Sequence, residues 1–228
     1  MYELPTQIPI QIDSKIYLKD PNSSELGLKI IAKSIDMINS MGYEEFTIRK
    51  LAQAINSTEA SVYRYFESKN KLLLYLISWY WSWMEYRLAF AITNINSPKL
   101  KLERALHLIT TKINNDERYQ NINIKKLNSI VFTESSKSYL TKDVDKVNKT
   151  GAYGEYKNFV EKVSSLILEI NPKFKYPNML VSTVIEGVHL QHHFTEHLPR
   201  LTNATKNEEH INNFFYEIVF KTIQPNKK

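Results

Sequence analysis

The chain has no cysteine among its 228 residues. That one absence excludes disulfides, thiolate nucleophiles, Cys-ligated zinc and Cys-ligated iron–sulfur clusters, and it fits a reducing, cytoplasmic setting. Glycine is nearly as scarce, with five residues at Gly27, Gly42, Gly151, Gly154 and Gly187. No G-x-G-x-x-G or Walker-type loop can be built from these, so nucleotide-cradling enzymes are set aside. Long apolar runs are missing too. The longest charge-free stretch of that kind, Leu72 to Met84, has thirteen residues, against about 20 for a membrane-spanning helix. Residues 1–13 carry neither a basic n-region nor a continuous apolar h-region, so no signal peptide is expected.

What is present reads as an ordinary globular chain, with 43% hydrophobic and 24% charged residues. At about 150 residues per domain, the length allows one large domain or two small ones. The net charge of +6 invites a nucleic-acid partner, but the excess is uneven. Residues 1–72 hold nine Lys/Arg and nine Asp/Glu, whereas residues 99–149 hold eleven against six. Charge alone therefore does not assign a function.

Prolines at 5, 9, 21, 98, 172, 177, 199 and 225 leave two long proline-free stretches. With so little glycine for hairpin turns, those stretches read as strings of helices. Ser24 to Met41 carries a helical stripe of Leu28, Ile31, Ile35 and Ile38 and ends at Gly42 in the C′ position. Leu72, Leu76, Trp79, Trp83, Tyr86 and Phe90 make a second stripe, on one continuous helix from Ser68 to Phe90. Leu102, Ala105/Leu106, Ile109 and Ile113 make a third. Tyr156, Phe159, Val163, Leu166/Ile167 and Ile170 make a fourth. Met179–Leu198 and Glu208–Ile223 follow, the last with Phe214, Phe215, Ile218 and Thr222/Ile223 inward. Residues 1–22, with three prolines, read as an extended arm. The expectation is all-α.

The stretch from Phe46 to Leu72, FTIRKLAQAINSTEASVYRYFESKNKL, carries the most information. Thr47 caps a short helix, Ile48 to Ile55, with Ile48, Leu51 and Ala52 inward. Asn56-Ser57 makes a tight turn, asparagine tolerating the left-handed conformation. Thr58 caps a second short helix, Glu59 to Phe66, and Ser68 caps the long one. Two short capped helices about a tight turn are the helix-turn-helix pattern.

This run resembles the tetracycline-repressor (TetR/AcrR) family of bacterial transcriptional regulators. The resemblance rests on Gly42-Tyr43, Thr47-Ile48-Arg49, Leu51-Ala52, Ser61-Val62-Tyr63-Arg64-Tyr65-Phe66, Ser68-Lys69 and Leu72, and it extends from Leu26 to Leu76. Three positions depart from the pattern: Asn56 for a glycine, Ser57 for an apolar residue and Asn70 for an acidic one. The resemblance implies a three-helix DNA-binding segment over 23–72, joined by the long helix to a larger helical bundle over 73–228 for regulation and dimerisation. The second helix of such a pair enters the major groove by its N-terminal residues. Thr58, Glu59, Ala60 and Ser61 are short enough for a close approach. Glu59 can accept from a cytosine amino group, Ala60 can meet a thymine methyl, and Arg64 can reach a guanine edge or a phosphate. Tyr63 resembles the family's phosphate-binding tyrosine. Thr47 and Lys69 stand at helix N-termini suited to phosphate, with Arg49 a further backbone contact. The bland readings are that Thr47, Thr58 and Ser68 are caps only, that Tyr65 and Phe66 are core, and that Glu59 complements the helix dipole. A DNA-facing role also requires Asp36, Glu44 and Glu45 to point away.

Trp79, Trp83 and Tyr86 are candidate walls of a pocket for an apolar or aromatic effector, against the reading that they are core. His189, His192, His193, Glu196 and His197 crowd one helix, with 189, 193 and 197 at four-residue spacing. Metal ligation is weighed against a dimer face, and no metal or cofactor is expected. In the resembled family this helix and the last one form a four-helix dimer bundle, which implies Val188, His192, Phe214, Phe215 and Ile218 as interface residues. No Ser-His-Asp order or carboxylate pair suggests catalysis. The reading is a cytoplasmic, homodimeric repressor that binds a palindromic double-stranded DNA operator and is released by a small molecule, with no membrane partner. The alternative is a helical small-molecule-binding or protein-interaction module whose helix-turn-helix does not bind DNA.

Overall fold

The computed structural model describes residues 10–139, 142, 144–149, 151–205 and 209–224, with the side chains of 135–138 left aside. The described residues form ten α-helices and no strand. Part of the expected arm (1–9) and Glu208, the expected start of the last helix, lie outside them.

Residues 10–20 have no regular secondary structure, and a single 3₁₀ turn, Pro21–Ser23, follows. Ser24 then caps α1 (Glu25–Glu45), its hydroxyl accepting from the Gly27 N–H at 3.1 Å. Gly42, at φ 78° and ψ 159°, lies inside α1 rather than just past its end and kinks the helical path three residues before Glu45. The short helices α2 (Ile48–Ala54) and α3 (Glu59–Tyr63) precede the long α4 (Lys69–Ile92). Next come α5 (Pro98–Thr110), α6 (Ile124–Tyr139), α7 (Val144–Asn148), α8 (Gly154–Ile170), α9 (Pro177–His197) and α10 (Glu209–Ile223).

The chain divides into two compact units. The first spans Met1–Trp83 and Ile113–Glu155, so the 23–72 segment lies wholly inside it, together with the arm and α6. In this unit α1 packs on α2 and α6, and α2 packs on α3. Ile30, Ile35, Phe46, Leu51, Val62, Phe66 and Leu72 are fully buried here. Lys126 of α6 pairs with Asp36 of α1 at 2.5 Å. On α4, Trp79, Tyr80, Trp81 and Trp83 are all buried, as on a helix apolar on every side that runs through a core.

The second unit spans Met84–Lys112 and Tyr156–Lys228. There α5 packs against α9 and α10, and α9 against α10. Leu102, Leu106, Ile109, Val163, Ile167, Val181, Val184 and Val219 enclose its apolar centre.

Three further expectations are corrected by the structure. The helix begun at Thr58 stops at Tyr63 rather than Phe66. There the Tyr65 N–H turns back to the Val62 carbonyl at 2.9 Å, and the Tyr65 carbonyl accepts from Leu18 at 2.8 Å. Ile113 lies beyond α5, because Thr111 is already extended, yet it is still buried. The inward row of α10 is Ile211, Phe215, Val219 and Ile223 at strict four-residue steps. Phe214 is instead 54% exposed, Thr222 is exposed and Ile218 is half-buried.

Candidate nucleic-acid interface

The geometry of the α2–α3 pair is fixed locally. Thr47 Oγ1 accepts from the Lys50 N–H at 3.2 Å, which caps α2. At the other end, the Asn56 N–H bonds the Gln53 carbonyl at 3.2 Å and the Ser57 N–H bonds the Ala52 carbonyl at 2.8 Å. These are the two bonds of a Schellman motif, and Asn56 adopts the left-handed conformation it needs, at φ 52°. Thr58 Oγ1 then accepts from the Ser61 N–H at 3.2 Å and opens α3. Leu51, Ala52 and Val62 are buried at the crossing.

The opposite face is open. Thr47, Arg49, Thr58, Glu59, Ala60 and Arg64 are exposed, Tyr63 is 43% exposed, and Ser61 is half-buried. Three of these side chains form a relay: the Thr58 and Ser61 hydroxyls meet at 3.0 Å, and the Arg64 guanidinium donates to Ser61 Oγ at 3.3 Å. The relay pre-sets the guanidinium over the start of α3. Tyr65 and Phe66 are buried, in agreement with the core reading.

Lys69 is differently employed. Its Nζ donates to the carbonyls of Tyr43 (3.3 Å), Glu44 (3.4 Å) and Phe46 (3.3 Å), and it stands 4.5 Å from the centre of the Tyr43 ring. Burial and the neighbouring Glu44 push the Tyr43 phenol up to about 12, so that ring stays neutral beneath the ammonium. Two of the acidic residues near α2 and α3 have cationic partners, Asp36 with Lys126 and Glu45 with Lys50 at 3.6 Å.

Trp79 lines a cavity of about 790 Å³ in the first unit, together with arm residues and residues 119–122. Trp83 is buried, and its indole N–H donates to Asp116 at 3.4 Å. Tyr86 belongs to the second unit and is half-buried. The residues expected at a dimer face differ in exposure. Val188 and Phe215 are buried in the chain's own packing, and His192 Nε2 lies 2.9 Å from the Thr110 carbonyl. Phe214 of α10 is exposed, as are Leu190 of α9 and Leu201 of the turn after it. The His193 and His197 rings are 4.7 Å apart. Among the described residues no three metal-capable side chains converge, and no helix is long and apolar enough to cross a membrane.

The stripes and caps read from the sequence do not mark α6, α7 or the wall formed by residues 119–122. The signal for α6 was present in Asn123, whose side chain caps it through the Lys126 N–H at 3.0 Å, followed by Ile124, Leu127, Ile130 and Val131.

Residues 30–76 match the family model described as bacterial regulatory proteins, tetR family. The helix-turn-helix segment is of the tetR family. The match runs from mid-α1 into α4 and includes α2 and α3, the elements whose geometry is set out above. Solved structures extend the likeness in fold. AibR in complex with isovaleryl coenzyme A and operator DNA aligns at TM-score 0.55 and 16% identity, covering 84% of this chain and 96% of that one. The fatty acid degradation regulator FadR from Bacillus halodurans gives 0.56 and 13%, covering 87% and 95%. The superantigen PfiT gives 0.57 and 10%, covering 89% and 97%. The bundle joined to the tetR-family segment thus has the fold of these proteins, and PfiT shows that the fold alone does not carry one function. No curated protein matches the chain by sequence.

Proposed function

We propose that the chain is a cytoplasmic, non-enzymatic transcriptional repressor that binds a palindromic operator as a homodimer and is released by a small molecule. The observation that carries this reading is the open row from Thr58 to Arg64, held on a doubly capped helix pair inside a segment that matches the tetR family. In this reading residues 23–72 contact DNA and residues 73–228 regulate and dimerise. Glu59, Ala60, Ser61 and Arg64 face base edges, with Ser61 and Arg64 acting as one unit because they share a hydrogen bond. Thr47, Arg49 and Tyr63 face phosphates, and Lys69, whose protons go to the Tyr43, Glu44 and Phe46 carbonyls, adds its positive charge there. One five-residue helix reads few base pairs, so specificity calls for two copies about 34 Å apart on successive major grooves. Exposed Leu190, Leu201 and Phe214 in the second unit supply apolar surface for that pairing.

The test is selection of genomic fragments by the purified chain, followed by affinity measurements across salt and across operator variants. Tyr63→Phe should weaken binding to every fragment alike, whereas Glu59→Ala or Arg64→Ala should change the ranking of variants, by about 1–3 kcal/mol for a bidentate contact. A chain that selects no fragment and binds without salt dependence would leave the protein-interaction alternative standing.

A further inference from the structure

The cavity beside Trp79 is built largely from the arm. Arm residues from Ile10 to Asn22 form one side, Leu28, Tyr75 and Trp79 another, and Tyr119, Asn121 and Ile122 the third. All of them belong to the first unit, which also carries the tetR-family segment. The volume of about 790 Å³ suits a small organic molecule. Two edge-to-face pairs set the aromatic walls, Tyr17 with Tyr75 at 6.0 Å and Trp79 with Tyr119 at 5.2 Å. The Asn22 amide donates to the Tyr75 hydroxyl at 3.2 Å and fixes its position.

The charge of the lining is one-sided. Asp20 contributes a carboxylate, and the other polar lining residues are neutral, Gln11, Ser14, Asn22 and Asn121 among them. Among the described residues no lysine or arginine lines the cavity. Aromatic faces carry negative potential and attract cations, so rings and carboxylate favour the same sign of ligand. An anionic ligand would meet a carboxylate and no cation.

The arm's other contacts lead to the recognition helix. The Leu18 N–H donates to the Tyr65 carbonyl at 2.8 Å, Ser24 Oγ lies 2.7 Å from the Tyr65 hydroxyl, and Lys19 stands 5.1 Å from the Tyr65 ring centre. Lys71, in the first turn of α4, donates to the Lys15 carbonyl at 3.2 Å. Tyr65 directly follows Arg64, the C-cap of α3. One run of about fifteen residues thus walls the cavity and also steadies the end of α3.

We propose that this cavity binds a small aromatic cation and that the arm transmits its occupancy to α3. The second half of the proposal rests on the DNA-binding reading above, whereas the first does not. The ligand acts only through a different affinity for two arm positions, and a modest coupling suffices for a switch.

Isothermal titration of the full chain at neutral pH with three probes of one shape tests this: 1-naphthylmethylammonium, 1-naphthalenemethanol and 1-naphthoate. The ammonium should bind at least tenfold more tightly than the naphthoate, with the alcohol between them. Asp20→Asn keeps an oxygen to cap the 3₁₀ turn, so it should leave the alcohol unchanged and bring the ammonium down to the alcohol's level. Equal or tighter binding of the naphthoate by the wild type would overturn the site, and the wild-type series needs no variant to be decisive. A charge preference that persists in Asp20→Asn would overturn the role of Asp20. These titrations use no DNA, so they decide the site even if the chain binds none. With a selected DNA fragment, saturating ammonium should change DNA affinity about fivefold or more; no change in a chain that binds both would overturn the transmission.

Discussion

The ammonium of Lys69 has three protons, and three carbonyl oxygens within 3.4 Å receive them. They belong to the last residues of α1 and to its C-cap, Phe46, so the side chain ties the end of α1 to the start of α4. Lys69→Met keeps most of the aliphatic stem and deletes the charge. It should lower stability by about 1–3 kcal/mol, the range for hydrogen bonds to a charged group, seen as a lower urea midpoint at unchanged m-value. An unmoved midpoint would mean that water serves those carbonyls equally well. His189 offers a second test. Burial, reinforced by neighbouring His192, pushes its imidazole down to about 3. An unfolded chain takes up that proton near pH 6.5, so the unfolded state binds more protons throughout the interval between. Its contribution is fully favourable above 6.5 and is lost as pH falls through that window, at no more than about 1.4 kcal/mol per unit. His189→Gln should flatten the fall between pH 6.5 and 5 relative to wild type, measured by urea midpoints at each pH. Parallel curves for the two proteins would remove His189 as the cause.

Element ends test backbone geometry in the same way. At Gly42 a Cβ would meet nothing within 4 Å, yet φ 78° with ψ 159° is a region that only glycine occupies readily. Gly42→Ala should therefore cost about 1–3 kcal/mol through torsional strain alone, with the melting temperature as readout. A neutral result would show that the end of α1 relaxes freely. This kind of information is local, which is why much of the first four helices could be read in advance. Ser24, Thr47, Thr58 and Ser68 each cap within three residues, and Asn56 signals its own turn. Contacts set by distant partners could not be read that way. α3 ends early partly because Leu18 takes the Tyr65 carbonyl, a pairing no spacing encodes. The α10 stripe was misphased because adjacent Phe214 and Phe215 are equally apolar in sequence, and only packing on α9, where Gly187 lets Phe215 approach closely, separates them. Of the candidate site, the exposure of α3 was foreseen; the other duty of Lys69 and the cavity wall formed by the arm were not, because each joins elements far apart in the chain.

At the scale of the whole molecule, the cationic excess is a poor guide to how many charges meet DNA. If the charges of Arg49 and Lys69 of each protomer face phosphates in a dimer, four are neutralised, and log K should fall against log salt with a slope of about −3.6. A slope near half that would mean that one protomer binds. Double substitution of Leu190 and Phe214 to glutamate should produce that halved slope, together with a monomer in sedimentation, because both side chains are about half exposed and free to accept charge without disturbing the core. A dimer that persists in this variant would place the pairing surface elsewhere.

The division of the chain also sets an order of assembly on the ribosome. The first unit ends at Glu155, whereas the second needs α10, where the Asn171 side-chain amide donates to the Ile223 carbonyl at 2.9 Å. At about 5–20 residues per second, the roughly 70 residues between those points take on the order of 3–14 s to synthesise. Within that interval α8 and then α9 reach α5, but α10 comes last, so the face of Leu102, Leu106 and Ile109 stays incompletely covered until its end. A nascent chain therefore carries its helix-turn-helix well before it can close its second core.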